Sequence, residues 1–223
     1  MKGFEPVLAA AERMSAFDAE WFVVGGWAID LFLGERTRDH DDVDVGFARD
    51  HQAHARSLLK GWSYQKVVPR ATTLVREPWG EDEWLSLPIH EIHVESATGG
   101  HVEFLLLERR TDEWVYRRDP RVTLPWSRLP FPSPFGLVAL APEVVLLFKA
   151  KGRRKRDQAD FEAALPRLSG ERCDWLRAAL EIAHPGHRWL SGLSRMGTSA
   201  SAMLNRPGCR GGNVGRQPGS TAR

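Results

Sequence analysis

Cysteine is scarce. The chain of 223 residues holds two, Cys173 and Cys209, too few for a disulfide framework or a four-thiolate zinc site. Long apolar runs are also missing. No stretch approaches the roughly 20 residues that a membrane helix requires, so no membrane partner is expected. The opening run Met1-Lys2-Gly3-Phe4-Glu5-Pro6 lacks the apolar segment of a secretory signal, and the expected location is the cytoplasm. Acids are absent from Ser191 onward, where five arginines stand (Arg195, Arg206, Arg210, Arg216 and Arg223). That stretch is rich in Gly and Ser, with no aromatic residue and no apolar periodicity. Residues 191–223 are therefore expected to form a disordered basic tail. Setting its +5 aside from the net +2 leaves residues 1–190 at −3, which argues against a basic nucleic-acid-binding face; nucleic acid is not an expected partner.

What is present is an ordinary globular composition, 42% hydrophobic and 27% charged, enough for a packed core. Apolar spacing predicts a helix over 5–19, a short strand over 21–24 and a helix from Trp27 to Leu33 that stops at Gly34. Strands are expected over 43–47, 64–68, 72–76, 89–94 and 102–107, the last two as a hairpin across Thr98-Gly99-Gly100, with a helix over 51–59. The proline-rich stretch 119–137 reads as a surface connection. Beyond it, Pro142 opens a helix to about Lys151, followed by helices over 158–165 and 172–183.

The informative residues are Gly25-Gly26-Trp27-Ala28-Ile29-Asp30 and then Thr37-Arg38-Asp39-His40-Asp41-Asp42-Val43-Asp44-Val45. Two glycines between a strand and a helix let backbone approach a ligand, and the free N–H groups and positive dipole of the helix start favour phosphate. Asp42 and Asp44 are two apart on an expected strand, so both leave one face while Val43 and Val45 turn to the core. Paired carboxylates repel unless a cation sits between them, and hard oxygen donors suit Mg²⁺. A phosphate cradle 16 residues before a metal-binding strand describes a nucleotide triphosphate site.

These residues resemble a known family. The Gly-Gly-Trp-Ala-Ile-Asp run with Thr-Arg-x-His-Asp-Asp-Val-Asp-Val is similar to the aminoglycoside and lincosamide nucleotidyltransferases of the DNA polymerase beta-like superfamily. A second match follows in Leu140-Ala141-Pro142-Glu143, Leu147-Phe148-Lys149 and Lys155-Arg156-Asp157-Gln158-Ala159-Asp160-Phe161. The resemblance implies an α+β fold. A small mixed nucleotidyltransferase sheet flanked by helices would occupy 1–118, and a helical C-terminal lobe 138–190.

It also implies a reaction: transfer of AMP from ATP to a hydroxyl of a small molecule, an aminoglycoside first, with release of pyrophosphate. Gly25, Gly26, Trp27 and Lys149 would bind the nucleotide, and Asp42 and Asp44 would hold two Mg²⁺ ions. Such sites use a third carboxylate. Glu103 is the first choice, because Val102, Phe104 and Leu106 form the apolar face of its strand and turn it the other way; Glu91 and His93 remain alternatives. For Lys149, a place at the triphosphate and a role at the helix C-terminal dipole both stand open. Asp157 and Asp160 are expected to brace their helix, His40 to make a structural hydrogen bond, and Arg36 and Arg38 to pair with the Asp cluster. The acidic loop 77–83 and Trp79, Trp84 and Trp114 are candidates for the acceptor side. Rival readings are a toxin-type nucleotidyltransferase acting on RNA or protein, and an inactive nucleotide-binding module.

Overall fold

Trp21, Phe22 and Val23 do not alternate and are all apolar, as a strand covered on both faces must be. In the computed structural model, which describes residues 3–152 and 154–194, they form β1 (Trp21–Val23). The sheet also contains β2 (Asp44–Ala48), β3 (Ser63–Pro69), β4 (Leu74–Pro78), β5 (Glu91–Glu95), β6 (His101–Arg110), β9 (Pro130–Pro132) and β10 (Val138–Leu140). The order is β4-β3-β5-β6-β2-β1-β10-β9, and β7 (Glu113–Val115) with β8 (Thr123–Pro125) extends from β6. Two neighbouring pairs, β2 with β6 and β1 with β10, run parallel, and the others run antiparallel. The fold is α+β around a mixed sheet.

Alternation divides β2 and β6 between two cores. Val45, Phe47, Phe104 and Leu106 pack with Tyr64, Trp79, Leu85 and helix α3 (Gln52–Leu58) on one face. The opposite face carries Asp44, Gly46 and Ala48 beside Glu103, Leu105 and Leu107. It looks toward α1 (Glu5–Arg13), α2 (Gly25–Leu33), α4 (Pro142–Ala150), α5 (Lys155–Ala164) and α6 (Gly170–Ala183). Helix α2 stops where Gly34 takes a left-handed conformation, φ 77°, and its N–H closes on the Asp30 carbonyl. Helix α4 is buried on nearly every side, wedged against α2, α5 and α6.

Three expectations change. The stretch 119–137 is no surface connection: Val122, Leu124, Trp126 and Leu129 are buried, β8 joins β7, and β9 forms a hairpin with β10. The expected start of the helical lobe at residue 138 is itself a strand, since β10 pairs with β1. Helices and sheet therefore share one core. The reason is apolar content: prolines at the ends of short edge strands leave the intervening apolar residues free to pack. Finally, residues 191–194 of the expected tail belong to the fold. Residues 190–194 are helical, Leu193 is buried, and Trp189 stacks on Phe161 with centroids 4.2 Å apart. Residues 195–223 lie outside the described residues.

No helix among the described residues is long and apolar enough to cross a membrane. Trp189→Ala should lower unfolding free energy by about 3–5 kcal/mol in a denaturant titration, as for other large buried side chains. A chain ending at Leu190 should be similarly weakened through loss of Leu193.

Candidate active site

Three successive backbone carbonyls hold the aspartate strand in place. The Trp27 indole N–H donates to Asp42 O (2.9 Å), Glu103 N–H donates to Val43 O (3.1 Å), and Val24 N–H donates to Asp44 O (3.0 Å). Parallel pairing of β2 with β6 then sets Asp44 directly opposite Glu103. The two carboxyls are close enough that each shifts the protonation of the other. Burial, and next the Asp42 charge, push Asp44 up to about 6; burial and the Asp44 and Asp42 charges push Glu103 up to about 9. No lysine or arginine pairs with any of the three among the described residues. Uncompensated carboxylates of this kind make a hard-oxygen donor set that fits Mg²⁺.

Glu91 and His93, the alternatives to Glu103, stand next to it. His93 is buried, its Nε2 lies 2.9 Å from Glu91 Oε1, and its Nδ1 lies 3.0 Å from Glu103 Oε1 without hydrogen-bond alignment. The three residues can bring ligand atoms within 4.8 Å of one another. Glu91 and Glu103 face a cleft of about 430 Å³ that also receives Gly25, Gly26, Asp42, Asp44 and Lys149.

The glycines also make room for side chains packed against the start of α2. Gly25 has φ +66°, and a Cβ there would strike the Asp44 carboxylate. A Cβ on Gly26 would strike the Arg38 guanidinium and the His40 ring. The pair thus admits the Asp44 carboxylate and two loop side chains against the start of α2. Trp27 does not line this cleft. It is buried, stacks on His40 at 4.3 Å, and serves through its bond to Asp42.

Asp30, unassigned in the sequence, proves central. It is fully buried and accepts from Thr37 N–H (3.1 Å) and Thr37 Oγ1 (2.5 Å), with His40 Nε2 at 2.6 Å on its other oxygen. Its position in the i+4 register of α2 marks it only as a polar interruption of an apolar helix. His40 thus makes a structural hydrogen bond.

Arg38 pairs not with the Asp cluster but with Asp160, 122 residues away, through bonds of 2.9 and 3.1 Å; Arg36 pairs with Asp39. Lys149 Nζ lies 2.7 Å from Asp160 and 3.5 Å from Asp157, which also holds Arg154. Asp157 and Asp160 therefore brace more than their own helix: they orient a cationic wall opposite the carboxylates. Arg156 extends it and reaches Asp41 at 3.3 Å. Sequence reasoning missed His90, Arg117 and Arg118 at the far end of the cleft, since no motif surrounds them.

The proposed acceptor features lie elsewhere. Trp79 and Trp114 are core, Trp84 is on the outer surface, and no residue of 77–83 lines the cleft. Glu77 and Glu83 are paired with Arg70 and Lys66 at the edge of the sheet.

Both raised carboxyls bind protons more tightly folded than unfolded, so their contribution to stability falls as pH rises from about 4 toward 9. The metal-free protein should melt lower across that window, and millimolar Mg²⁺ should restore more at pH 8 than at pH 5. Asp44→Asn should raise the metal-free melting temperature at pH 8 and remove most of the Mg²⁺ effect. Trp27→Phe keeps an aromatic ring but loses the bond to Asp42 and part of the packed indole; it should cost more than the roughly 1 kcal/mol of one hydrogen bond by calorimetry, and turnover should also fall.

Residues 6–109 match the profile of the aminoglycoside-2''-adenylyltransferase family. No curated protein matches the chain. A solution structure of the antibiotic-resistance factor ANT(2'')-Ia has a TM-score of 0.52 at 14% identity, over 92% of this chain and 100% of that one. A crystal structure of the lincosamide antibiotic adenylyltransferase LnuA, lincomycin-bound, scores 0.49 at 14% identity over 71% of this chain and 94% of that one. ANT(2'')-Ia in complex with adenylyl-2''-tobramycin scores 0.41 at 15% identity over 89% and 96%. The matched stretch contains the glycine turn, both aspartates and Glu103; over it the chain resembles the aminoglycoside-2''-adenylyltransferase family, and its fold is that of ANT(2'')-Ia.

Proposed function

We propose that the protein transfers AMP from ATP to a hydroxyl of a small molecule, an aminoglycoside-type antibiotic first, and releases pyrophosphate. The observation that carries this reading is Asp44 opposite Glu103 on parallel strands, beside the free N-terminus of α2 and facing Lys149. The aminoglycoside as first acceptor rests on the family whose profile residues 6–109 match.

Asp42, Asp44 and Glu103 would hold Mg²⁺, two ions in the full site. Bound there, Mg²⁺ supplies charge neutralisation at the phosphates and acidifies a coordinated hydroxyl. The start of α2 offers N–H groups and the positive end of its dipole to the triphosphate. Lys149 and Arg38, held by Asp160, place fixed cations where the leaving pyrophosphate gathers charge. Glu103 orients the acceptor hydroxyl in line with the α-phosphorus and takes its proton. His93, with Glu91 on its other nitrogen, stands 3.0 Å behind that carboxyl.

The test is pyrophosphate release from ATP and Mg²⁺ with a panel of aminoglycosides. Release that needs the drug, with a matching mass shift of one AMP, is the expected result. Label carried instead into RNA or protein would favour the toxin-type rival, and nucleotide binding without any turnover the inactive module. Glu103→Gln should reduce turnover roughly 10²-fold or more, as removal of a positioned base does, while ATP affinity changes less.

A further inference from the structure

Most cations in the cleft are already engaged. Arg38 and Lys149 bind Asp160, Arg154 binds Asp157, and Arg156 reaches Asp41. Arg118 donates to Phe148 O (2.9 Å) and Tyr116 Oη (3.2 Å), clipping the end of β7 to α4. Arg117 differs. It is partly buried at the end of the cleft near His90 and Glu91, with its guanidinium 5.4 Å from the centre of the Phe148 ring. Among the described residues it makes no hydrogen bond and no ion pair.

The acids that Arg117 senses are committed elsewhere: Glu91 to His93 and Glu108 to Arg49. Burial and the neighbouring Arg118 charge lower its pKa to about 10, so it remains cationic at neutral pH. Burial, then Arg117, push His90 down to about 4, which leaves that imidazole neutral. The backbone around Arg117 is fixed, because Tyr116 is buried, bonds Val122 O through its N–H, and packs on Phe148 at 5.1 Å. A partly desolvated charge on a fixed mount without a counter-ion is costly unless a ligand supplies one.

We infer that Arg117 is the anion-binding group of a second subsite in this cleft, taking a phosphate or carboxylate in its two-pronged fork. The subsite lies beside His90 and Glu91 in that cleft. Its anion comes either from the nucleotide's phosphates or from an acidic group on the acceptor, which would widen the acceptor class beyond polycations. The inference rests on the transferase reading for the identity of the cleft, but anion binding is measured without transfer.

The experiment titrates the full chain and its Arg117→Gln and Arg117→Lys variants by calorimetry. The probes are sodium pyrophosphate, ATP with Mg²⁺, and glucose 6-phosphate added after saturation with a non-hydrolysable ATP analogue. Arg117→Gln should weaken one of these by about tenfold or more, the weight of a charge-assisted pair of hydrogen bonds. Arg117→Lys should recover part of the loss, since it restores charge without the fork. Loss confined to pyrophosphate and ATP assigns the nucleotide as the source; loss confined to glucose 6-phosphate assigns the acceptor. Arg117→Gln should also melt no lower than the parent protein without ligand. Unchanged affinity for all three probes in both folded variants overturns the inference. Absence of pyrophosphate release in the parent protein would count against the transferase reading alone, because these titrations do not depend on turnover.

Discussion

Asp44 and Glu103 repel each other across two parallel strands, and Asp42 adds a third charge beside them. In a partly dry cleft such a group is held together only by structure stiffer than its repulsion. The stiffness comes from backbone. Three consecutive carbonyls, those of Asp42, Val43 and Asp44, are tied to α2, β6 and the end of β1 in turn. Releasing the repulsion would mean pulling β2 away from both neighbours. The strain therefore stays in the side chains, where a cation can relieve it.

The surrounding loop serves the same end. Asp30 anchors Thr37 and His40, His40 stacks on Trp27, and Trp27 holds Asp42. This chain of contacts runs from the buried interior of α2 to the loop that carries Asp42. Gly25 and Gly26 lack side chains because Asp44, Arg38 and His40 fill the space where Cβ atoms would be. Arg38 carries the linkage across the cleft to Asp160, which also orients Lys149. Buried ion pairs of this kind add little net stability over apolar packing, but losing one partner is costly, so they favour one fixed arrangement. Here the fixed arrangement is a cationic wall on α4 and α5 facing an anionic wall on β2 and β6. A metal triphosphate bridges such walls naturally.

Much of this could be read from the chain alone. Residues two apart on a strand share a face, so Asp42-Val43-Asp44-Val45 announced paired carboxylates over a core. The apolar set Val102, Phe104 and Leu106 likewise turned Glu103 toward the opposite side, where the cleft lies. Gly34 marked the end of α2, and Pro142 the start of α4, because each has a local backbone preference that acts without tertiary help. These features depend on neighbours within a few residues, which the sequence specifies directly.

Tertiary structure decided what depends on distant partners. Sequence could not tell that Arg38 meets Asp160 rather than the nearby aspartates, because a long flexible side chain chooses among carboxylates only once helices α4 and α5 are docked. Nor could it place Trp27 in the core or leave Arg117 without a counter-ion, since both follow from which surfaces close over them. The proline-rich stretch was misread for a related reason. Proline content reports missing N–H donors, whereas Trp126 and Leu129 are buried by the sheet edge and helices that assemble around them. The sequence determined the pair of aspartates, the turn before them and the face of Glu103 through backbone periodicity. The partners of Arg38, Lys149 and Arg156 were decided by the packing of two helices against one face of the sheet.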